Sequence, residues 1–274
     1  MKKHSWGSPL FLTTVLLFMY LPIVVVAAYS FNANTARIPT EFTGWSTIWY
    51  EKLFSGRSGF QDALLLSLRI ALWSVLLSGV IGTLGAVGMA QRTLLHKQKA
   101  GRFDGIMEAL VSLPIMIPEI ILGLAFMVIF NAIGFKGNEL RLVLAHTTFC
   151  IPYVFLNVKS RLVGMDPAIF DAARDLGAEP ARVVRDITLP LCRPAILSGC
   201  FLALAMSLDD FVISFFVYGA GEGTLPIKIY SSVKVGVSPQ VNALCTLIIG
   251  VIFIAAALSR YTSSIRSARA KRQS

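Results

Sequence analysis

Charge is scarce in this chain. Only 15% of its 274 residues are charged, against 55% hydrophobic, and the mean hydropathy is +0.69. A water-soluble domain carries closer to a quarter charged residues, so this surface is too poor in charge to face water throughout. Cysteine is sparse too. Cys150, Cys192, Cys200 and Cys245 lie in or beside apolar runs with no pairing or metal-ligand spacing, and they read as small buried apolar residues. The chain has no G-x-x-x-x-G-K-[ST] phosphate loop, no H-E-x-x-H and no G-x-S-x-G. If ATP drives this protein, its binding site lies on another chain.

What the sequence does contain is long apolar runs. Six stand out, at 9–29, 62–90, 106–130, 140–158, 195–218 and 241–259. Crossing a bilayer takes about 20 helical residues. Lipid offers backbone groups no hydrogen-bond partner, so spans of this kind must be helices. The expected fold is an all-α membrane protein: one transmembrane domain over 1–274, six transmembrane helices, no internal repeat and no separate soluble domain. The first run, with Lys2 and Lys3 before it and Ala27-Ala28 near its end, has the outline of a signal peptide. Its apolar stretch from Pro9 to Ala28 exceeds the signal core of about 7–15 residues, which favours a membrane anchor.

The net charge is +10, and its placement says more than its sum. An even number of spans puts both termini on one side. Most of the 25 Lys and Arg residues then fall near the termini, in 91–105 and in 159–194, while Lys52, Lys136, Arg141 and Lys228 are among the few on the other side. The positive-inside rule places both termini and those two connections in the cytoplasm. The basic tails read as topology signals and contacts for anionic lipid, not as a nucleic-acid patch. Outside, the 30–61 connection holds Trp45, Trp49 and Tyr50, aromatic residues suited to a short interfacial helix. Within the second run, Gly79, Gly82, Gly85 and Gly88 make a face for close helix packing.

The 159–194 connection is far longer than a helix–helix turn requires. Asp166-Pro167 is a helix start, with Asp as N-cap and Pro at the first helical position. Ile169, Ala172, Ala173 and Leu176 then share one face, and Asp171, Arg174 and Asp175 the other. Gly177 supplies the stop. Pro180 opens a second short helix with Val183, Val184 and Ile187 on its apolar side, and Pro190 and Pro194 are expected to end it. Two amphipathic helices bent at a glycine fit two uses equally well, lying on the bilayer or entering a groove on a partner.

Resemblance separates these uses. Asp171-Ala172-Ala173-x-x-x-Gly177, nine residues, then Ile187-x-Leu189-Pro190 is similar to the EAA loop of bacterial ABC importer permeases. It falls between the fourth and fifth runs, where that family has it. The resemblance implies a coupling helix docked in a cleft of an ATPase subunit, with Asp171, Ala172, Ala173, Gly177, Ile187, Leu189 and Pro190 in that role. Asp171 stands where the family usually has Glu. The resemblance also implies two ATPase subunits carrying ATP and Mg, a second permease subunit forming a heterodimer, an extracytoplasmic substrate-binding protein, and residence in the bacterial inner membrane.

Three carboxylates fall deep inside the runs: Glu119 in the third, flanked by Pro114 and Pro118, and the adjacent pair Asp209-Asp210 in the fifth. Buried charges in lipid are costly and point to function, here a path for a cationic substrate. The other reading is an ion pair that fixes packing, with Arg69 as the basic partner. Two helical neighbours point about 100° apart, so one of the Asp pair is expected to face the passage. His146 alone reads as a polar contact in a helix interface. Ser207-Leu-Asp-Asp-Phe-Val and the stretch from Leu225 to Leu244 resemble the spermidine/putrescine importer permeases, the PotC kind in particular. That resemblance implies a polyamine as cargo and a 219–240 loop, with Lys228 and Lys234, facing the binding protein. The alternatives are a permease for another small solute, an ion-coupled secondary transporter, which would not need the 159–194 loop, and an intramembrane enzyme, which would need a nucleophile or metal constellation that His146 does not supply.

Overall fold

Helix is the dominant structure among the described residues, as long apolar runs require, and the one extended pairing is an isolated bridge between Asn32 and Trp45. The computed structural model describes residues 7–36, 41–55, 59–94, 101–218, 223–236 and 238–273. Of the basic residues used above to assign sidedness, Lys2, Lys3, Lys97 and Lys99 lie outside the described residues, as does part of the 219–240 loop. In chain order the helices are α1 Gly7–Tyr29, α2 Ile48–Phe54, α3 Phe60–Leu94, α4 Arg102–Met116, α5 Glu119–Ala132 and α6 Asn138–Val163. Then come α7 Pro167–Asp175, α8 Pro180–Val183, a π-helical turn Val184–Thr188, α9 Leu189–Asp209, α10 Val212–Tyr218, α11 Leu225–Val235 and α12 Pro239–Gln273. Five stretches are long and apolar enough to cross a bilayer: Pro9–Tyr29, Phe60–Ala90, Asn138–Val163, Pro180–Asp209 and Pro239–Tyr261. The bent pair α4 and α5 makes a sixth if it counts as one span.

Two of the expected spans are interrupted. In the third, α4 and α5 meet at 101°. Ile117 there is extended, with φ −81° and ψ 132°, because a residue before proline is pushed out of the helical region and Pro118 has no N–H to continue the ladder. The fifth stops at Asp209 and resumes at Val212, with Asp210 extended at φ −64° and ψ 118°. At its other end the fifth is longer than expected. Helix runs unbroken from Pro180 to Asp209, so Pro190 and Pro194 do not terminate it. The π turn widens the helix ahead of Pro190, where Leu189 N–H reaches back to the Val184 carbonyl, and the proline ring is accommodated. The Thr188 hydroxyl donates to the Val183 carbonyl at 3.3 Å within the same turn.

The chain divides into two compact units, 1–61 with 229–274, and 62–228. In the first, α1 and α2 pack on α12. The Trp49 indole N–H donates to the Asn32 carbonyl at 2.8 Å, and Ser30 and Tyr50 share a hydrogen bond of 2.7 Å, while Trp45 stays exposed.

In the second unit α6 is the axis, burying Leu142, His146, Val154, Phe155, Val158 and Leu162 along its length. Its packing rests on small residues. A Cβ at Gly199 of α9 would lie 2.9 Å from the Val154 Cα, and one at Gly82 of α3 would lie 3.0 Å from the Ile151 carbonyl oxygen. Gly79 faces Cys200 in the same way and Gly85 faces Phe155, but Gly88 has no neighbour. On the other side of the unit, Gly123 of α5 lies against Ile213 and Phe216 of α10. Between helices in lipid, van der Waals contact replaces the hydrophobic effect as the driving force, so close backbone approach is the main source of cohesion. The Arg141 guanidinium also fastens the α5–α6 turn, donating to the Phe135 carbonyl at 2.7 Å and to Asn131 Oδ1 at 3.2 Å.

Candidate functional site: a capped surface helix and an interrupted membrane helix

Helix α7 is built as its sequence predicts at both ends. Asp166 Oδ1 accepts the Ala168 N–H at 2.9 Å, with Pro167 in the first turn. At the far end Gly177 takes φ +75°, its N–H donates to the Arg174 carbonyl at 2.8 Å, and Ala178 N–H donates to the Ala173 carbonyl at 3.0 Å. That double closure by a left-handed glycine satisfies carbonyls that the helix end would leave bare.

The face α7 presents differs from expectation. Phe170, 1% exposed, and Ala173 turn inward and join the buried cluster that includes Leu162, Met165 and Val183. Ile169 and Ala172 are exposed, and Leu176 is 88% exposed. A phenyl ring buries more area than the alanines and isoleucine of the expected face, and centring the inner side on it rotates the helix by about one residue, 100°. Asp171, half-buried, pairs with Arg174 one turn on. Beyond Gly177, Val183 and Thr188 are buried, Val184, Ile187 and Leu189 are half-buried, and Pro190 is exposed. Arg161 of α6 donates to the Leu191 carbonyl at 3.3 Å, tying α6 to the start of α9.

The three carboxylates occupy different settings. Glu119 is exposed in the first turn of α5, just past the Pro118 break, where the positive end of the helix dipole suits an anion. Asp209 is exposed at the last residue of α9, and among the described residues neither it nor Glu119 forms an ion pair. Asp210 is buried and fully engaged. Its Oδ1 accepts Ile213 N–H at 3.1 Å, and its Oδ2 accepts both the N–H and the hydroxyl of Ser214 at 2.8 Å. His146 Nε2 stands 3.3 Å from the same oxygen and 3.0 Å from Ser214 Oγ, while Nδ1 meets Ser207 Oγ at 2.8 Å.

Arg69 does not neutralise any of the three. It pairs with Glu139 at 3.4 Å, both largely exposed, beside a cavity of about 260 Å³ also lined by Asp62, Asn138 and Tyr218. His146 lies in a helix interface, as expected, while the contacts of Ser207 and Ser214 and the inward turn of Phe170 were missed. For the two serines the signal was their spacing about Asp210, which puts hydroxyls one turn either side of the acid. Among the described residues no three His, Cys, Asp or Glu side chains converge as metal ligands.

Comparison with known proteins adds the following. Residues 81–264 match the family described as binding-protein-dependent transport system inner membrane component. The putrescine transport system permease protein PotI of Escherichia coli K12 is 39% identical over 264 residues, covering 93% of this chain and 89% of that protein. The spermidine/putrescine transport system permease protein PotC of Haemophilus influenzae is 36% identical over 239 residues, covering 87% of this chain and 89% of that protein. Among solved structures, a chain of the inward-facing MetNI methionine ABC transporter aligns with TM-score 0.59 at 19% identity, covering 76% of this chain and 95% of that one. A chain of an amino acid ABC transporter crystallised with histidines aligns with TM-score 0.52 at 18% identity, over 77% of this chain and 96% of that one. Those two likenesses concern the fold.

Proposed function

The chain belongs to the family of binding-protein-dependent transport system inner membrane components, and from that premise we propose that it is the permease subunit of an ATP-driven importer for a polyamine of the putrescine or spermidine kind. The names of its relatives support the cargo. The observation that carries the coupling role is the outward face of α7: Ile169, Ala172 and Leu176 lie bare on a helix capped at both ends and anchored by Phe170. A rigid helix with an unpaired apolar face suits insertion into a groove on a partner.

In this reading both termini, the 91–105 connection and the α7–α8 segment are cytoplasmic, α4 and α5 form one of six spans, and α7 docks on one of two ATPase subunits that carry ATP and Mg. A second permease subunit completes the passage, and a soluble binding protein delivers cargo from outside. This chain makes and breaks no bonds. Closure of the ATPase pair moves the docked helices and shifts the permease between inward-open and outward-open arrangements. Glu119 and Asp209 are the carboxylates free to meet an ammonium group.

The test is co-isolation of the ATPase with this chain, together with ATP-dependent uptake of labelled putrescine and spermidine in vesicles. Leu176→Asp is expected to abolish ATPase co-isolation while the chain still inserts in the membrane. Retention of the ATPase at wild-type stoichiometry would refute the docking assignment.

A further inference from the structure

We propose that His146 and Asp210 are positioning residues: together they pin the interruption of the fifth membrane helix and leave Asp209 alone of the acidic pair to meet a cation. The proposal rests on the cationic cargo argued above and assigns separate work to two neighbouring carboxylates.

The interruption at Asp210 has no proline and no glycine to cause it. Ending a helix inside a membrane exposes backbone groups that lipid cannot satisfy. Here a side chain satisfies them, because Asp210 turns back over the start of α10 and takes the N–H groups of Ile213 and Ser214. His146 secures both sides of the gap from α6. Its Nδ1 contacts Ser207 on α9, and its Nε2 contacts Ser214 on α10 with Asp210 behind it.

The His146 imidazole completes this network: Nδ1 hydrogen-bonds Ser207 Oγ, Nε2 hydrogen-bonds Ser214 Oγ, and the Ser214 hydroxyl donates to Asp210. His146 and Ser214 are both fully buried. Each polar group has its partner, so nothing in the network is left to coordinate cargo.

Asp209 is the opposite case. It is exposed, with no ion pair among the described residues, at the carboxyl end of α9, where the helix dipole adds negative potential. An ammonium group placed there would meet a carboxylate and the last carbonyls of α9 together, an arrangement also used for cations at the ends of discontinuous membrane helices. The pin decides which way that end faces. Releasing it lets α9 and α10 reorient and moves Asp209, the chain neighbour of Asp210.

The test uses the intact transporter in two arms. In uptake kinetics, Asp209→Asn is expected to raise KM for spermidine by about tenfold or more, the size of one lost charge-assisted contact. Asp210→Asn, which keeps the oxygen that caps α10, is expected to change KM by less than about twofold and to lower turnover a few-fold. An equal rise in KM for both variants would overturn the proposal.

The second arm replaces Cys150, Cys192, Cys200 and Cys245, introduces Asp209→Cys, and measures its labelling by a trimethylammonium thiosulfonate reagent. Adding His146→Ala is expected to change the labelling rate at least about threefold, and His146→Gln, which can still bridge the two serines, is expected to restore it. An unchanged rate in His146→Ala would show that the pin positions nothing and overturn the proposal. Failure of the unaltered complex to take up polyamines, with the labelling shift intact, would support the pin and overturn only the cationic cargo.

Discussion

The third and fifth of the expected spans are both interrupted, by opposite means. Between α4 and α5 the chain loses a donor: Pro118 has no N–H, Ile117 is driven extended, and the two helices meet at 101°. Between α9 and α10 no donor is lost. The N–H groups of Ile213 and Ser214 are present and are redirected to the Asp210 carboxylate, which His146 braces from a neighbouring helix. The first break is written into the covalent backbone and persists whatever surrounds it. The second exists only while four side chains on three helices hold together. A break of the second kind can be undone by a neighbour's movement, and the carboxylate beside it, Asp209, would move with it.

The sharpest way to separate the two is Asp210→Ala. It deprives three donors of their acceptor at once, for roughly 3 kcal/mol at about 1 kcal/mol each. A large fall in the thermal midpoint of the purified complex is expected, with Asp210→Asn recovering most of it, because Asn caps helices nearly as well as Asp. Pro118→Ala comes next. It restores a donor but leaves the bend packed against its neighbours, so stability should change by about 1 kcal/mol or less while uptake falls a few-fold as α4 and α5 gain freedom to realign. Uptake and midpoint measured together check this, and a midpoint loss as large as that of Asp210→Ala would erase the distinction.

Gly177 makes a third kind of break, one that depends on backbone freedom, with an effect no larger than about 1 kcal/mol. Nothing lies within 4 Å of a Cβ built there, so side-chain size should matter little and the sign of φ should matter most. Gly177→Ala is expected to cost about 1 kcal/mol and weaken ATPase co-isolation, and Gly177→Asn noticeably less, since Asn tolerates the left-handed region. Equal effects from the two variants would point to a lost contact instead of strain.

These breaks also account for what could be read in advance. Asp166, Pro167 and Gly177 act locally, through their own φ, N–H or carboxylate, and their roles in α7 follow from sequence alone. Pro118 was visible but sits in an apolar run that reads as continuous, and hydropathy has no term for a bend. Pro190 and Pro194 misled, because a π turn supplied by Val184–Thr188 lets the helix run past them. Asp210 was recognised as costly in lipid, yet its use as a cap depends on His146, 64 positions away in number and adjacent in space, which periodicity does not register. The inner face of α7 was misjudged by one residue because the alanines were taken to define it and Phe170 was passed over, although its ring is the largest side chain the helix buries.

The unbroken helix from Pro180 to Asp209 has a mechanical meaning. Its 30 residues make a rod about 45 Å long at 1.5 Å per residue. A tilt of about 5° about one end of such a rod sweeps the other through about 4 Å, more than the width of a water molecule. The helix joins the segment that follows Gly177 to the carboxylate of Asp209, and Gly199 seats it against the α6 backbone between them.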